Sequence, residues 1–172
     1  MRFLFCYGMK RRNSSWLLNQ PFSLLEMTGT RKKFTLEEVK KAFEKFKINP
    51  TRVDFAICLK DDEQMIGDLA IVDIDKDNYS AAFRIALHHP DFKNKGLGTE
   101  GVQLLMQYAF EELKLNRLQL EVFSHNKAAI KSYLKAGFKL EGTLKQALYY
   151  HGVYSDMLIL AILFEEYKHL YK

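Results

Sequence analysis

Phe92-Lys93-Asn94-Lys95-Gly96-Leu97-Gly98-Thr99 joins an apolar, strand-like run to a long amphipathic helix. A strand that feeds a glycine turn at a helix start can build an anion cradle. Gly96 and Gly98 can adopt the left-handed backbone that residues with a Cβ resist, so that successive N–H groups converge on one anion. The unpaired N–H groups and positive dipole end of the following helix add to that pull, and Lys93 and Lys95 bring mobile positive charge to the same turn. Taken locally, a flexible strand-to-helix turn explains these residues equally well. Two nucleotide motifs are excluded. The dinucleotide fingerprint needs a third glycine at its own offset, and a P-loop needs Gly-Lys-Ser/Thr, whereas Gly98 is followed by Thr99, Glu100 and Gly101.

Working outward, Val53 to Leu59 and Met65 to Ile74 read as a hairpin of strands across the charged turn Lys60 to Gln64. After the turn Asp75 to Asn78, Ser80 to Leu87 is a third strand, ended by His88-His89-Pro90 because proline cannot donate to a ladder. Beyond the glycine turn, Val102, Leu105, Met106, Ala109, Phe110 and Leu113 recur at helical offsets and predict one helix. Leu118, Leu120 and Val122 alternate as a strand, and a shorter helix from about Asn126 to Ala136 ends at Gly137 in a C-cap position. Phe138 to Leu140, Leu144 to Tyr150 and Ser155 to Leu163 are the remaining strands, the last two joined by His151-Gly152. Earlier in the chain, Thr35 and Glu38 form a capping box before the apolar face of Val39, Ala42, Phe43 and Phe46. Met1 to Glu26 predicts one weak strand and one weak helix.

A chain of 172 residues is most economically a single domain with a substantial core. Hydrophobic residues at 48% beside charged residues at 27% fit a soluble globular protein. The formal charge of +5 favours anionic ligands without indicating nucleic acid, since no long basic run or aromatic–basic recognition motif accompanies it. Cys6 and Cys58 make neither a disulfide framework nor a metal motif, and predict a reducing, cytoplasmic setting. The apolar run Phe3 to Met9 precedes its main basic cluster instead of following it, which is the wrong order for a secretory signal, and no apolar stretch is long enough to span a membrane.

In this order, the strand, the Gly-Leu-Gly loop, the long helix, the next strand, the Asn-initiated helix, Gly137-Phe138 and the terminal hairpin resemble the GNAT acetyltransferase superfamily. Asn94-Lys95-Gly96-Leu97-Gly98-Thr99 is similar to its pyrophosphate loop, with Lys93 where that loop usually has Gln or Arg, and Asn126 to Phe138 is similar to its second signature. Tyr149 to Asp156 resembles the branch of ribosomal-protein N-terminal and spermidine acetyltransferases. The resemblance covers about Val53 to Tyr167, the cofactor-binding core, and leaves residues 1–50 as a poorly matched substrate-side segment. It implies an α+β, GNAT-like single domain over 1–172, with a central, mostly antiparallel, splayed sheet flanked by helices.

The resemblance further implies acetyl-CoA as co-substrate and acetyl transfer to a primary amine by direct attack on the thioester. That amine is a polyamine, a protein N-terminus or a small amine, and a homodimer is left open. The expected cofactor contacts are the backbone of Ile85, Ala86 and Leu87, the loop Lys93, Asn94, Lys95, Gly96, Leu97, Gly98 and Thr99, and Asn126 and Tyr133. Tyr133 is the candidate general acid, because a phenol stays protonated at neutral pH and can donate to the departing thiolate; as an alternative it is a core aromatic packed with Ile130 and Leu134. Asn126 suits a helix N-cap as well as a cofactor donor. No general base stands out: Ala82 occupies the position where many relatives carry Glu, and Glu121 on the next strand is the alternative. His88, His89 and His125 flank the cleft without metal-ligand spacing, so no metal is expected. Asp61-Asp62-Glu63 with Asp73, Asp75 and Asp77 could form an acidic pocket for a cationic acceptor, and Asp156 either orients such a substrate or closes the terminal hairpin. Two other readings stay open: a non-catalytic acyl-CoA sensor with the same fold, and a ribosome- or RNA-associated basic protein.

Overall fold

The computed structural model describes residues 3–7, 31, 34–60, 64–88, 90–92 and 95–172. Strand β1 (Phe3–Tyr7) is followed by helix α1 (Leu36–Lys47), then β2 (Val53–Leu59), β3 (Met65–Asp75) and β4 (Ser80–Leu87). A short 3-10 turn (Pro90–Phe92) leads to α2 (Leu97–Gln107), which runs into a π-helical turn (Tyr108–Glu112). β5 (Arg117–Phe123), α3 (Lys127–Lys135), β6 (Lys139–Tyr150), β7 (Val153–Leu163) and α4 (Phe164–Tyr171) complete the order. The strands form one sheet in the order β1-β2-β3-β4-β5-β7-β6. The junction of β4 with β5 is parallel and the other pairs are antiparallel.

That junction decides where a site can form. β4 and β5 pair only from Ser80–Arg117 to Ala82–Gln119, whereas β4 stays laddered to β3 as far as Leu87 and β5 to β7 as far as Phe123. The two halves of the sheet therefore separate beyond Ala82. One face is apolar because successive strand residues point to opposite sides: Leu69, Ile71, Ala81, Phe83, Leu118, Leu120, Leu160 and Ile162 meet Val102, Leu105, Met106, Phe110 and Tyr167 in one core. Ala82, Arg84 and Ala86 alternate with that set and take the other face.

The expected elements form with three corrections. The two short strands at 138–140 and 144–150 are one strand, β6, interrupted by register shifts at Leu140/Gly142 and Leu144/Leu148. At the second shift Gln146 has φ +53°, its N–H donates to Asp156 Oδ1 at 2.9 Å, and Lys145 Nζ donates to Oδ2 at 2.9 Å. These two contacts, the backbone one foremost, hold the Asp156 carboxyl below its usual range, so Asp156 serves the hairpin. The helix after the glycine turn ends its α-helical part at Gln107 and widens into a π-turn, closed by the Leu113 N–H donating to Tyr108 O at 3.1 Å, before β5. Helix α4 was not expected, because the apolar alternation of β7 runs on into it and its N-cap is Leu163; Glu166 supplies the cap by accepting the Leu163 N–H at 2.9 Å.

The capping box at Thr35 and Glu38 is present. Gly137 ends α3 with φ +98°, a left-handed conformation that favours glycine, and an added Cβ would also meet the exposed end of Leu170 of α4. Asp75 accepts from the N–H groups of Asp77 and Asn78 and from the Asn78 amide, which ties it into its own turn and lowers its pKa, chiefly through the Asn78 side chain. Asp61, Asp62 and Glu63 lie outside the described residues, as does the weak helix expected before residue 27.

Candidate active site

Beyond Ala82 the edge of β4 that faces β5 has no strand partner among the described residues, and this open edge runs through Ile85, Ala86 and Leu87. It leads to Gly96, the N-cap of α2, at φ +79° and ψ −3°. This left-handed conformation costs other residues about 1–2 kcal/mol. No side chain caps that helix end. The first intrahelical donor is the Glu100 N–H, which reaches Gly96 O at 3.0 Å, so the N–H groups of Leu97, Gly98 and Thr99 point out of the helix start. Gly98 corrects the sequence reading: its φ is not positive, because it is already the second residue of α2, and an added Cβ would only touch Leu87 Cδ1 at 3.9 Å. What Gly98 contributes is an uncovered helix surface. Lys95 is exposed, and Lys93 and Asn94 lie outside the described residues. From Gly96 a cleft of about 610 Å³ continues between α2 and α4, lined in part by Thr99, Gln103, Lys135, Tyr171 and Lys172.

Helix α3 is capped at its own start and tied to α2 by Ser132. Asn126 Oδ1 accepts the Ala129 N–H at 3.2 Å, which leaves the side-chain amide Nδ2 outside the cap. Ser132 Oγ lies 2.7 Å from Thr99 Oγ1, joining α3 to the first turn of α2. Tyr133 follows Ser132, and its ring packs edge-on against Phe83 at 5.9 Å and Phe138 at 6.3 Å; Leu134, one of its expected neighbours, is half exposed instead. Phe83 is the first β4 residue past the last pair with β5, so the phenol stands at the separation of the strands. No described residue hydrogen-bonds the Tyr133 hydroxyl, and no fully buried side-chain polar atom among those described lacks a partner; the hydroxyl therefore keeps some contact with the surface. Burial pushes this phenol up to about 12, which keeps it protonated across the neutral range.

The other face of the sheet carries the remaining candidates. Ala82 pairs with Gln119, and Glu121, on the same face of β5, is exposed opposite Ile159. Sequence reasoning missed Asp68. It sits directly across from Ala86 in the β3–β4 register and is the one buried charged residue among those described, at 8% exposure. Its Oδ1 accepts from His88 Nε2 at 2.8 Å, and Arg84 Nη2 lies 3.8 Å from Oδ2. The alternation Ala82, Arg84, Ala86, His88 is visible in the sequence, but the register that brings Asp68 beside it is not. His125 stacks on Phe123 and its Nδ1 lies 3.0 Å from Ser155 Oγ; His89 lies outside the described residues. Among the described residues no group of three His, Cys, Asp or Glu side chains assembles to hold a metal ion, and no helix is long and apolar enough to cross a membrane.

A sheet opened at its parallel junction, with an anion-directed helix start at the mouth of the opening, is the architecture of acyltransferases that draw on coenzyme A. The chain belongs to the acetyltransferase (GNAT) family, whose domain matches residues 17–139, and the protein is therefore an acyltransferase that uses acetyl-CoA as donor. The match begins nearer the N-terminus than the resemblance over Val53 to Tyr167. A probable N-acetyltransferase of Bacillus subtilis, YjcK, is 33% identical over 135 residues, which are 78% of this chain and 71% of that protein. The spermidine N(1)-acetyltransferase of Escherichia coli K12 is 33% identical over 106 residues, 62% of this chain and 56% of that enzyme. In fold, the chain is similar to the crystal structure of spermidine N-acetyltransferase from Vibrio cholerae in complex with CoA and spermine, with a TM-score of 0.85 and 21% identity over 97% of this chain and 98% of that one.

Asn126 offers a test that separates its observed cap from its expected role as a cofactor donor. Asn126→Asp retains a capping oxygen at a helix start that favours negative charge but removes the amide donor. The expected outcome is an unchanged melting temperature with acetyl-CoA affinity lowered several-fold, read by calorimetric titration. Equal affinity would leave Asn126 as a cap alone.

Proposed function

We propose that this protein transfers the acetyl group of acetyl-CoA to a primary amine of a polyamine or other small molecule, by direct attack of the neutral amine on the thioester. The observation that carries this reading is the convergence of an unladdered β4 edge, the Gly96 helix start and the Tyr133 hydroxyl at one separation in the sheet. The residues suit the donor at each point. The backbone of Ile85, Ala86 and Leu87 offers an extended arm the hydrogen bonds of a missing strand. The outward N–H groups of Leu97, Gly98 and Thr99, with Lys93, Asn94 and Lys95 leading into them, suit a pyrophosphate. The cleft with Lys135 and Lys172 leaves room for the nucleotide end. Bound acetyl-CoA supplies an activated acyl carbonyl with a thiolate leaving group; Tyr133 holds the proton that the sulfur needs, and Asn126 adds a further side-chain donor at the start of α3.

The single domain, with its cofactor half at 53–167, and a cytoplasmic setting consistent with the buried free Cys58 belong to the same proposal. The similarity to spermidine acetyltransferases supports placing polyamines first among acceptors, with a protein N-terminus second. A thioester-turnover panel of spermidine, spermine, a small monoamine and a peptide with a free N-terminus tests it. Turnover on none of these amines would remove the amine reading. Donor binding is tested separately. Acetyl-CoA at one hundred times its dissociation constant is expected to stabilise the fold by about 2.7 kcal/mol, seen as a rise in melting temperature, and ATP at equal concentration is expected to do far less. Equal shifts would remove the assignment of the cleft to coenzyme A.

A further inference from the structure

Helix α3 ends on a lysine that no described acid holds. Lys139, Lys145, Lys168 and Lys172 each lie within 3.3 Å of a carboxylate oxygen. Lys135 makes no ion pair among the described residues, although it stands on the wall of the cleft that begins at Gly96. We infer that Lys135 binds the 3′-phosphate of coenzyme A and makes the protein selective for acyl donors that carry this phosphate. The inference rests on the reading of that cleft as the nucleotide end of the donor site.

The first observation is position. Ser132 Oγ lies 2.7 Å from Thr99 Oγ1, and residues three apart on a helix share a face. Lys135 therefore comes down on the same side of α3 as Ser132, beside the first turn of α2, and Gly96, Thr99 and Lys135 border one cleft. Lys131, one turn earlier on α3, is exposed and does not line it.

The second is charge. Lys135 and Lys172 are the cations that line the cleft. Lys172 Nζ lies 3.3 Å from Glu111 Oε1, which also accepts from the Tyr167 hydroxyl at 2.8 Å. These contacts, the Tyr167 hydrogen bond foremost, hold the Glu111 carboxyl below its usual range, and they neutralise that end of the cleft from within. Glu100, the other acid on the wall, stands in the first turn of α2, where the positive end of the helix offsets its charge. Lys135 is thus the lining cation that an incoming anion reaches without displacing a carboxylate.

The third is chemical fit. Coenzyme A carries two anionic centres, a diphosphate and a ribose 3′-phosphate, with one ribose between them. The outward N–H groups of Leu97, Gly98 and Thr99 suit the first; Lys135, on the wall of the same cleft, suits the second. A phosphate monoester bears about −1.5 to −2 charge at neutral pH, and an ammonium on a flexible stem meets it as a point charge through a charge-assisted hydrogen bond. A donor without the 3′-phosphate lacks this contact, so Lys135 separates the complete coenzyme thioester from its dephospho form.

Calorimetric titration of the full chain with acetyl-CoA and with acetyl-dephospho-CoA, which lacks only the 3′-phosphate, tests the inference. The wild-type protein is expected to bind acetyl-CoA about tenfold or more tightly than acetyl-dephospho-CoA. Lys135→Gln is expected to lose that preference, its affinity for acetyl-CoA falling to the unchanged affinity for acetyl-dephospho-CoA. In turnover the same loss appears as a raised KM for acetyl-CoA with kcat retained, the mark of binding that is equal in ground and transition states. Lys135→Arg keeps the charge and should keep most of the preference. Lys131→Gln removes one charge from the same helix away from the cleft wall and should keep all of it. Both lysines are exposed, so the melting temperatures should stay near wild type. Equal affinity of the wild-type protein for the two donors, or a preference that survives in Lys135→Gln, overturns the inference. An equal loss in Lys131→Gln also overturns it, by making the lysines a diffuse field and not a contact. A wild-type protein that binds neither donor removes the assignment of the cleft to coenzyme A and the inference with it, a result distinct from the others.

Discussion

Tyr133→Phe is expected to lower turnover by about 10²-fold or more, the usual contribution of a positioned proton donor, while acetyl-CoA affinity stays within a few-fold of wild type. The change removes only the hydroxyl. The ring keeps its edge contacts with Phe83 and Phe138, so a packing role predicts no loss of rate, and the comparison is clean when chemistry limits turnover at saturating amine. The raised phenol adds a second, independent readout. In the folded protein burial pushes it up to about 12, above the ordinary value near 10. As pH rises through 10 the unfolded chain releases this proton while the folded chain retains it, so Tyr133 stabilises the fold below pH 10 and that contribution is lost between about 10 and 12. Alkaline unfolding of Tyr133→Phe should lack this share, while Tyr167, also pushed up to about 12 by burial first and Glu111 second, keeps its own. Unchanged kcat in Tyr133→Phe would assign the thiolate's proton to water or to the amine.

Gly96→Val is expected to abolish measurable acetyl-CoA binding at concentrations that saturate the wild-type protein. The residue must stand at φ +79°, where a β-branched side chain is a genuine outlier, so the turn would have to reopen and misaim the N–H groups of Leu97, Gly98 and Thr99. Gly98→Ala separates approach from backbone strain. Its Cβ fits at 3.9 Å from Leu87 and the backbone there is helical, so folding stability should hold, and any loss of affinity reports the ligand's closeness to the helix surface. Calorimetric titration beside thermal unfolding measures both variants. Normal binding by a folded Gly96→Val would reduce this loop to an ordinary turn.

Most of the element order was legible because it rests on local causes. Alternation marked β2 through β5, and offsets of three and four marked α2. Thr35 and Asn126 announced helix starts and Gly137 a helix end, each through the hydrogen bonds its own residue type can make. Where local signals conflict, the reading failed: β6 bends around Gln146 because Asp156, ten residues away, captures its N–H, and α4 begins on leucine because Glu166 reaches back to cap it. At Gly98, a glycine pair that looked equivalent divides into one left-handed residue and one helical residue, since only the helix boundary decides which of them turns the chain.

The same division runs through the site. From sequence alone came the glycine loop that opens α2 and the Asn126 cap, set by residue type and spacing along the chain, while Tyr133 on α3 as an expected acid and Ala82 at the place where relatives carry Glu came from the resemblance. Only the tertiary structure decided that β4 and β5 part after Ala82, that Tyr133 rests on Phe83 at that parting, and that Asp68 meets His88 over Ala86. These depend on which strands pair and in what register, and register follows from burying one whole face of the sheet against α2, α3 and α4, a condition on the folded molecule that no single stretch of sequence carries.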